Sequence, residues 1–114
     1  MTDNEKNKLI ATWAGKNPVA RIGFDGEIKC YTIDGSNGIM ANYLHDNWAA
    51  VCLLDVLVGK DVYWFMRSYQ KGKIMVELRD IHGNPLIPIQ IKPSISEAIC
   101  GAILALIEKE STNG

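Results

Sequence analysis

Apolar positions recur along this chain with two periods, and the switches between them mark its elements. Leu9, Ile10, Trp13 and Ala14 stand at helical spacing behind Thr2 and Glu5, which lie three apart as in a capping box. Gly15 supplies a residue for the left-handed position after a helix, and Asn17-Pro18 ends the element. From Val19 to Ile33, VARIGF-DG-EIKCYTI reads as two strands joined by an Asp25-Gly26 turn, a pair that favours positive φ. Residues 34–41, DGSNGIMA, read as loop, with Gly35 and Gly38 as breakers. A second helix begins after Asp46. Trp48, Val51, Cys52, Leu54 and Val58 make one side apolar, and Ala49, Ala50, Leu53, Val56 and Leu57 widen it until Asp55 is its clearly polar position. A helix of that kind packs against more than one neighbour or at a subunit interface. Gly59 closes it.

The period then changes to two. Asp61–Ser68 (DVYWFMRS) and Lys73–Asp80 (KIMVELRD) carry the strongest strand patterns, separated by YQKG with Gly72 available for the turn. His82-Gly83-Asn84-Pro85 is a second turn. Leu86–Lys92 follows as a strand, and Pro88, lacking an N–H, places it at a sheet edge. Ser94 and Glu97 repeat the capping-box spacing before a helix to about Lys109, striped by Ile99, Ile103, Leu106 and Ile107, and Ser111–Gly114 should fray. Consecutive strands joined by short turns pair antiparallel, because parallel pairing needs crossovers of about a dozen residues. In YWFM both the Tyr63/Phe65 side and the Trp64/Met66 side are apolar, where a strand wet on one face alternates more cleanly. The expected fold is therefore α+β: one domain over residues 1–114, with an antiparallel sheet of about four to five strands and helices packed on both faces.

The 114 residues, 47% hydrophobic and 22% charged, suit one globular domain that needs neither metal nor disulfide to hold a core. A net charge of −1 with interspersed signs leaves no general footprint for duplex nucleic acid. Cys30, Cys52 and Cys100 are widely spaced, form no CxxC pair and lie within apolar patterns, so three buried free thiols and a reducing cytosol are expected. The polar start MTDNEKNK has no signal-peptide core, and the apolar runs fall short of the ~20 residues of a membrane span. A soluble cytoplasmic protein is the expectation.

His45-Asp46-Asn47 resembles an oriented general base, yet Asp46 serves better as the cap that accepts the free amides of the helix behind it. The His82 turn needs no chemical explanation. Two histidines without HExxH spacing predict no metal site, and DGSNGIM matches no phosphate-loop pattern, so no catalytic residue and no cofactor are expected. A titratable pair from distant segments, such as Asp34 with His82, stays invisible at this level. The candidate ligand-binding set is Trp64, Arg67, Tyr69, Lys71, Lys73 and Arg79 around the WFMRSYQKGK hairpin, where aromatic faces stack on bases and cations hold phosphates. Ser94 and Ser96 join it at the start of the last helix, whose free amides can take an anion. The apolar helix 46–58 points to self-association, with Trp48 and Leu57 as interface candidates whose change to Asp should monomerise or unfold the chain.

The lead-in NYLHD to DNWAAVCLLDVL, followed by SISEAICGAILALIEK, resembles the small phage proteins with an α-β-α sandwich domain. Their pattern is carried here by Tyr43, Asp46, Trp48, Ala98, Ile99, Cys100 and Ala102, while positions 27–41 depart from it. The resemblance implies a phage or prophage origin, a sheet flanked by helices, and, for Tyr43, a place near the ligand. On it rests the expectation of a non-enzymatic binding protein that counters host antiviral defence. It would act as an oligomer, dimer or higher, either sequestering a cyclic nucleotide or cyclic ADP-ribose type signal or blocking a host defence protein. The alternative is a protein-interaction or oligomerisation module with no small ligand.

Overall fold

Eight elements succeed one another in a computed structural model that describes residues 1–33 and 39–113: α1 (Asp3–Trp13), β1 (Pro18–Ile22), β2 (Ile28–Ile33), α2 (Asn47–Gly59), β3 (Tyr63–Ser68), β4 (Ile74–Arg79), β5 (Gln90–Lys92) and α3 (Ile95–Asn113). The class is the expected α+β with antiparallel pairing throughout. The glycines at 35 and 38, and Asp34 of the Asp34–His82 pairing, lie outside the described residues.

The boundaries follow the local chemistry. Thr2 Oγ1 accepts the Glu5 amide at 3.2 Å to start α1, and Gly15 takes φ 86° just past its end. Asp46 starts α2. Behind Gly59 the chain turns through Asp61 at φ 61°, a left-handed conformation Asp tolerates better than most residues, and the Val62 amide returns to the Leu57 carbonyl at 2.9 Å. That turn delays the strand expected from Asp61 until Tyr63. The strand expected over 86–92 is shorter as well: Leu86 donates to the Leu78 carbonyl at 3.0 Å, the chain leaves the ladder at Pro88, and pairing resumes at Gln90. At the other end, helical geometry continues through Asn113, beyond the expected stop near Lys109.

The strands divide between two sheets rather than forming one layer. β1 and β2 make a two-stranded hairpin whose turn closes at Gly26, φ 80°, while β3, β4 and β5 form a second sheet in that order. Register explains the separation. The outer edge of β2 is already bridged by Ile39 opposite Thr32, and β1 opens on Pro18 and shifts register between Arg21 and Ile22.

Helices occupy the space between. The hairpin packs on α1, α1 on α3, and α3 on β4 and β5, with α2 beside α3 and next to β3. The core gathers Ile10 and Ala11 of α1, Leu53 and Leu57 of α2, Val76 and Leu78 of β4, and Ala98, Ile99, Cys100, Ala102 and Ile103 of α3. Gly101 of α3 faces β5 through the Gln90 side chain, whose amide oxygen lies 3.0 Å from where a Cβ would stand. Pairing of Trp64 with Leu78, and of Met66 with Val76, turns those side chains toward the helices. The opposite face carries Tyr63, Phe65, Arg67, Met75, Glu77, Arg79 and Ile91; Tyr63 (44%), Phe65 (48%) and Ile91 (39%) are substantially exposed, while Met75 is buried among its neighbours. Among the described residues no helix is long and apolar enough to cross a membrane.

Candidate functional site

The polar triplet before α2 does structural work. Asp46 Oδ1 accepts the backbone amides of Trp48 at 3.0 Å and Ala49 at 3.2 Å, the cap read from the sequence. His45 turns away from it and pairs with Asp3 on α1, Nε2 to Oδ2 at 2.9 Å, with both side chains more than half exposed. That contact holds the Asp3 carboxyl below its ordinary range, chiefly through the hydrogen bond from His45. A hollow of about 260 Å³ beside the pair is walled by Lys6, Leu44, Lys92, Glu97, Gly101 and Leu104. These walls offer carboxylates, amines and an imidazole, without a hydroxyl or thiol aimed at the pair. A buried link ties the same region down: Asn7 donates from Nδ2 to Asn42 Oδ1 at 2.9 Å and accepts the Leu44 amide at 3.2 Å. Among the described residues no three His, Cys, Asp or Glu side chains gather closely enough to hold a metal ion.

The candidate ligand set is dispersed. Tyr43 lies in the core, where burial, with lesser contributions from nearby Cys100 and Cys52, raises its phenol above the usual value, and its carbonyl accepts the Cys100 thiol at 3.1 Å. Ser94 and Ser96 do not leave α3 an open anion site. Ser94 Oγ accepts the Glu97 amide at 3.2 Å and stands 3.2 Å from Ser96 Oγ, while the Ser96 amide donates to Asn47 Oδ1 at 3.0 Å and Ser96 itself is buried. Tyr69, Lys71 and Lys73 sit exposed at the β3–β4 hairpin tip. Trp64 and Arg67, three apart in a strand of period two, point to opposite faces.

What the fold does bring together is Arg67 and Arg79, on the outer face of the three-stranded sheet, with residues the pattern reading passed over. Arg79 donates from Nε and Nη2 to Glu77 Oε1, each at 2.9 Å, and its guanidinium lies 4.9 Å from the centre of the Phe65 ring. Phe65, Arg67, Met75, Glu77 and Arg79 line a shallow hollow of about 370 Å³. Tyr63, Phe65, Ile81 and Arg79 border a second of about 230 Å³. The signal for this cluster was present: Tyr63, Phe65 and Arg67 alternate on one strand, and Met75, Glu77 and Arg79 on the next.

The two interface candidates separate in the same way. Trp48 is 76% exposed, on a side of α2 that also shows Cys52, Asp55 and Val58, whereas Leu57 is 1% exposed inside the core. The helix is apolar all round for two reasons, one side for the core and one left uncovered. Cys100 is buried as expected and burial pushes its thiol up to about 12, but Cys30 is only half-buried and Cys52 is exposed, which corrects the reading of three buried thiols. No family model, curated protein or solved structure matches the chain.

Proposed function

We propose that the protein is a non-catalytic binding module that acts by contact with another protein, using the outer face of β3–β4–β5. The observation that carries this reading is the exposed row of Tyr63, Phe65 and Ile91 around the buried Met75, an apolar sheet face rimmed by Arg67, Arg79 and Glu77. Apolar anchors enclosed by paired charges are the usual make-up of a protein-binding patch. In the phage setting that the sequence resemblance implies, the partner would be a component of host defence that this face blocks. The test is affinity capture from host-cell lysate with wild type and with Ile91→Lys, which charges the face on β5 without entering the core. A stoichiometric protein retained by wild type and lost by the variant is expected. Equal capture by both, or none by wild type, counts against the reading.

A second reading, sequestration of a cyclic nucleotide or cyclic ADP-ribose type signal, is favoured by one arrangement: the Arg79 guanidinium over the Phe65 ring, with Arg67 lining the same 370 Å³ hollow. Glu77 opposes it, because a phosphate would have to displace a carboxylate already paired with Arg79. Melting curves with and without cyclic dinucleotides and cyclic ADP-ribose separate the two. A ligand-dependent rise lost in Arg67→Ala and Arg79→Ala favours sequestration, and unchanged curves leave protein contact as the function.

A further inference from the structure

We infer that the free edge of β3 pairs with the same edge of a second copy, joining two three-stranded sheets into one continuous sheet across a two-fold axis. The interface is the backbone edge of β3 and takes in Tyr63, Phe65 and Arg67 at that margin of the outer face, while Ile91 on β5 lies away from it, so Ile91→Lys tests the face separately from the pairing.

Edges in this fold are mostly blunted. β5 is three residues long and lies between Pro88 and Pro93. β1 opens on Pro18 and carries a register shift, and β2 is bridged by Ile39. β3 has none of these devices: it is six residues long, pairs in unbroken register with β4 from Tyr63 to Ser68, and lacks proline, bulge and lysine. Among the described residues no strand lies along its other side. A long, regular, apolar edge of this kind is a template for another strand.

Its backbone polarity can be read from the ladder. The Leu78 carbonyl accepts the Leu86 amide, so Leu78 turns its main chain toward the β5 side and away from its partner Trp64. Alternation in an antiparallel ladder then turns the N–H and C=O groups of Trp64 and Met66 to the open edge, and those of Tyr63, Phe65 and Arg67 toward β4. The Tyr69 amide, donating inward to Lys73, fits the same phase.

Two copies related by an axis perpendicular to the sheet meet antiparallel with like faces together. Centring that axis on Phe65 makes Trp64 and Met66 of one copy exchange both backbone bonds with Met66 and Trp64 of the other. The side chains agree with this register. Phe65 meets its own copy as a close, non-hydrogen-bonded pair, about 4.5 Å between Cα atoms. Trp64 stands opposite Met66, and Tyr63 opposite Arg67, so aromatic, thioether and guanidinium partners coincide and no like charges face one another. Both helical layers then lie on one side, with the α2 helices, each beside its β3, flanking the axis.

Light scattering and amide exchange on the whole chain test this together. At micromolar concentration the wild type should run at twice the 12.6 kDa chain mass, with the Trp64 and Met66 amides exchanging roughly tenfold or more slower than in a sample diluted to monomer. Phe65→Lys, which sets two like charges across the axis at a half-exposed site, should give a folded monomer, while Ile91→Lys should remain a dimer. A monomer at all concentrations, a dimer whose Trp64 and Met66 amides exchange freely, or a Phe65→Lys protein that stays dimeric overturns the inference. Should Phe65→Lys fail to fold, the exchange measurement on wild type decides alone.

Discussion

Leu57 and Trp48 share one helix and one hydropathy class, yet their truncations should differ by an order of magnitude. Leu57 is 1% exposed and packs in the central cluster, so Leu57→Ala removes its transfer energy and leaves a cavity, a loss of about 2–5 kcal/mol. Unfolding entropy of about 2.1 cal/mol/K per residue gives the 114-residue chain about 0.24 kcal/mol/K at its midpoint. The Tm should therefore fall by roughly 8–20 °C. Trp48 is 76% exposed, and its backbone amide, which an alanine retains, makes the contact with Asp46. Trp48→Ala should stay within about 0.5 kcal/mol, or about 2 °C. Far-ultraviolet circular dichroism on dilute samples reads both and avoids a fluorescence signal that the substitution itself changes. Equal shifts, or a larger one for Trp48, would refute the orientation of α2 and with it the packing of α2 on α3.

The thiols give a second check: a native-state thiol reagent should modify exposed Cys52 first and half-buried Cys30 more slowly, and reach Cys100 only on unfolding, because its burial keeps the thiol protonated. Rapid labelling of Cys100 in the folded protein would contradict its place in the core. A third concerns acid. Asp80 Oδ1 accepts the amides of His82 and Asn84, each at 2.9 Å, and these backbone bonds, Asn84's foremost, hold its carboxyl below the ordinary value of 3.8. A depressed folded-state pKa contributes stability above 3.8 that disappears as pH falls through the lower, folded value. Asp80→Asn should accordingly lower stability at neutral pH and converge with wild type as pH falls below 4, which flattens the acid limb of a stability–pH curve, and an unaltered limb would exclude this turn as a source of acid sensitivity.

Local chemistry was legible in the sequence and tertiary cover was not. The caps at Thr2, Asp46 and Ser94 and the Asp25-Gly26 turn are written in residues that act on their own neighbours, and the fold uses each as read, while Pro88, read as placing the strand 86–92 at an edge, also cuts it back to Gln90–Lys92. The division into two sheets depends on which edges are free to pair, and Ile39 closes the edge of β2 at Thr32. The dispersal of the candidate site has a similar origin. Trp64 and Arg67 are close in sequence and parted by the pleat, while Arg79 and Phe65 are fourteen positions apart and come together only through the register of β3 on β4. Ser94 and Ser96 stand at a helix start as expected, but the group that takes the Ser96 amide is Asn47, at the start of another helix.

The double-sided apolar pattern of β3 shows where pattern reading stops. Trp64 and Met66 share the face of buried Leu78 and Val76, and Met66 packs against the core while Trp64 stays 36% exposed at the edge, so the chain's own core explains only part of the pattern. Tyr63 and Phe65 are equally apolar and lie open, and nothing in hydropathy distinguishes a face covered by a helix from one reserved for a second molecule. Such a pattern requires two covers without stating that both belong to the same chain. Here the uncovered face and the unblunted edge fall on the same strand, while the proline-flanked β5 closes the opposite side of the sheet. A sheet protected on one edge and bare on the other has a direction, and association guided by that direction ends at two copies, because pairing β3 with β3 consumes the free edge and leaves only proline-guarded strands outside.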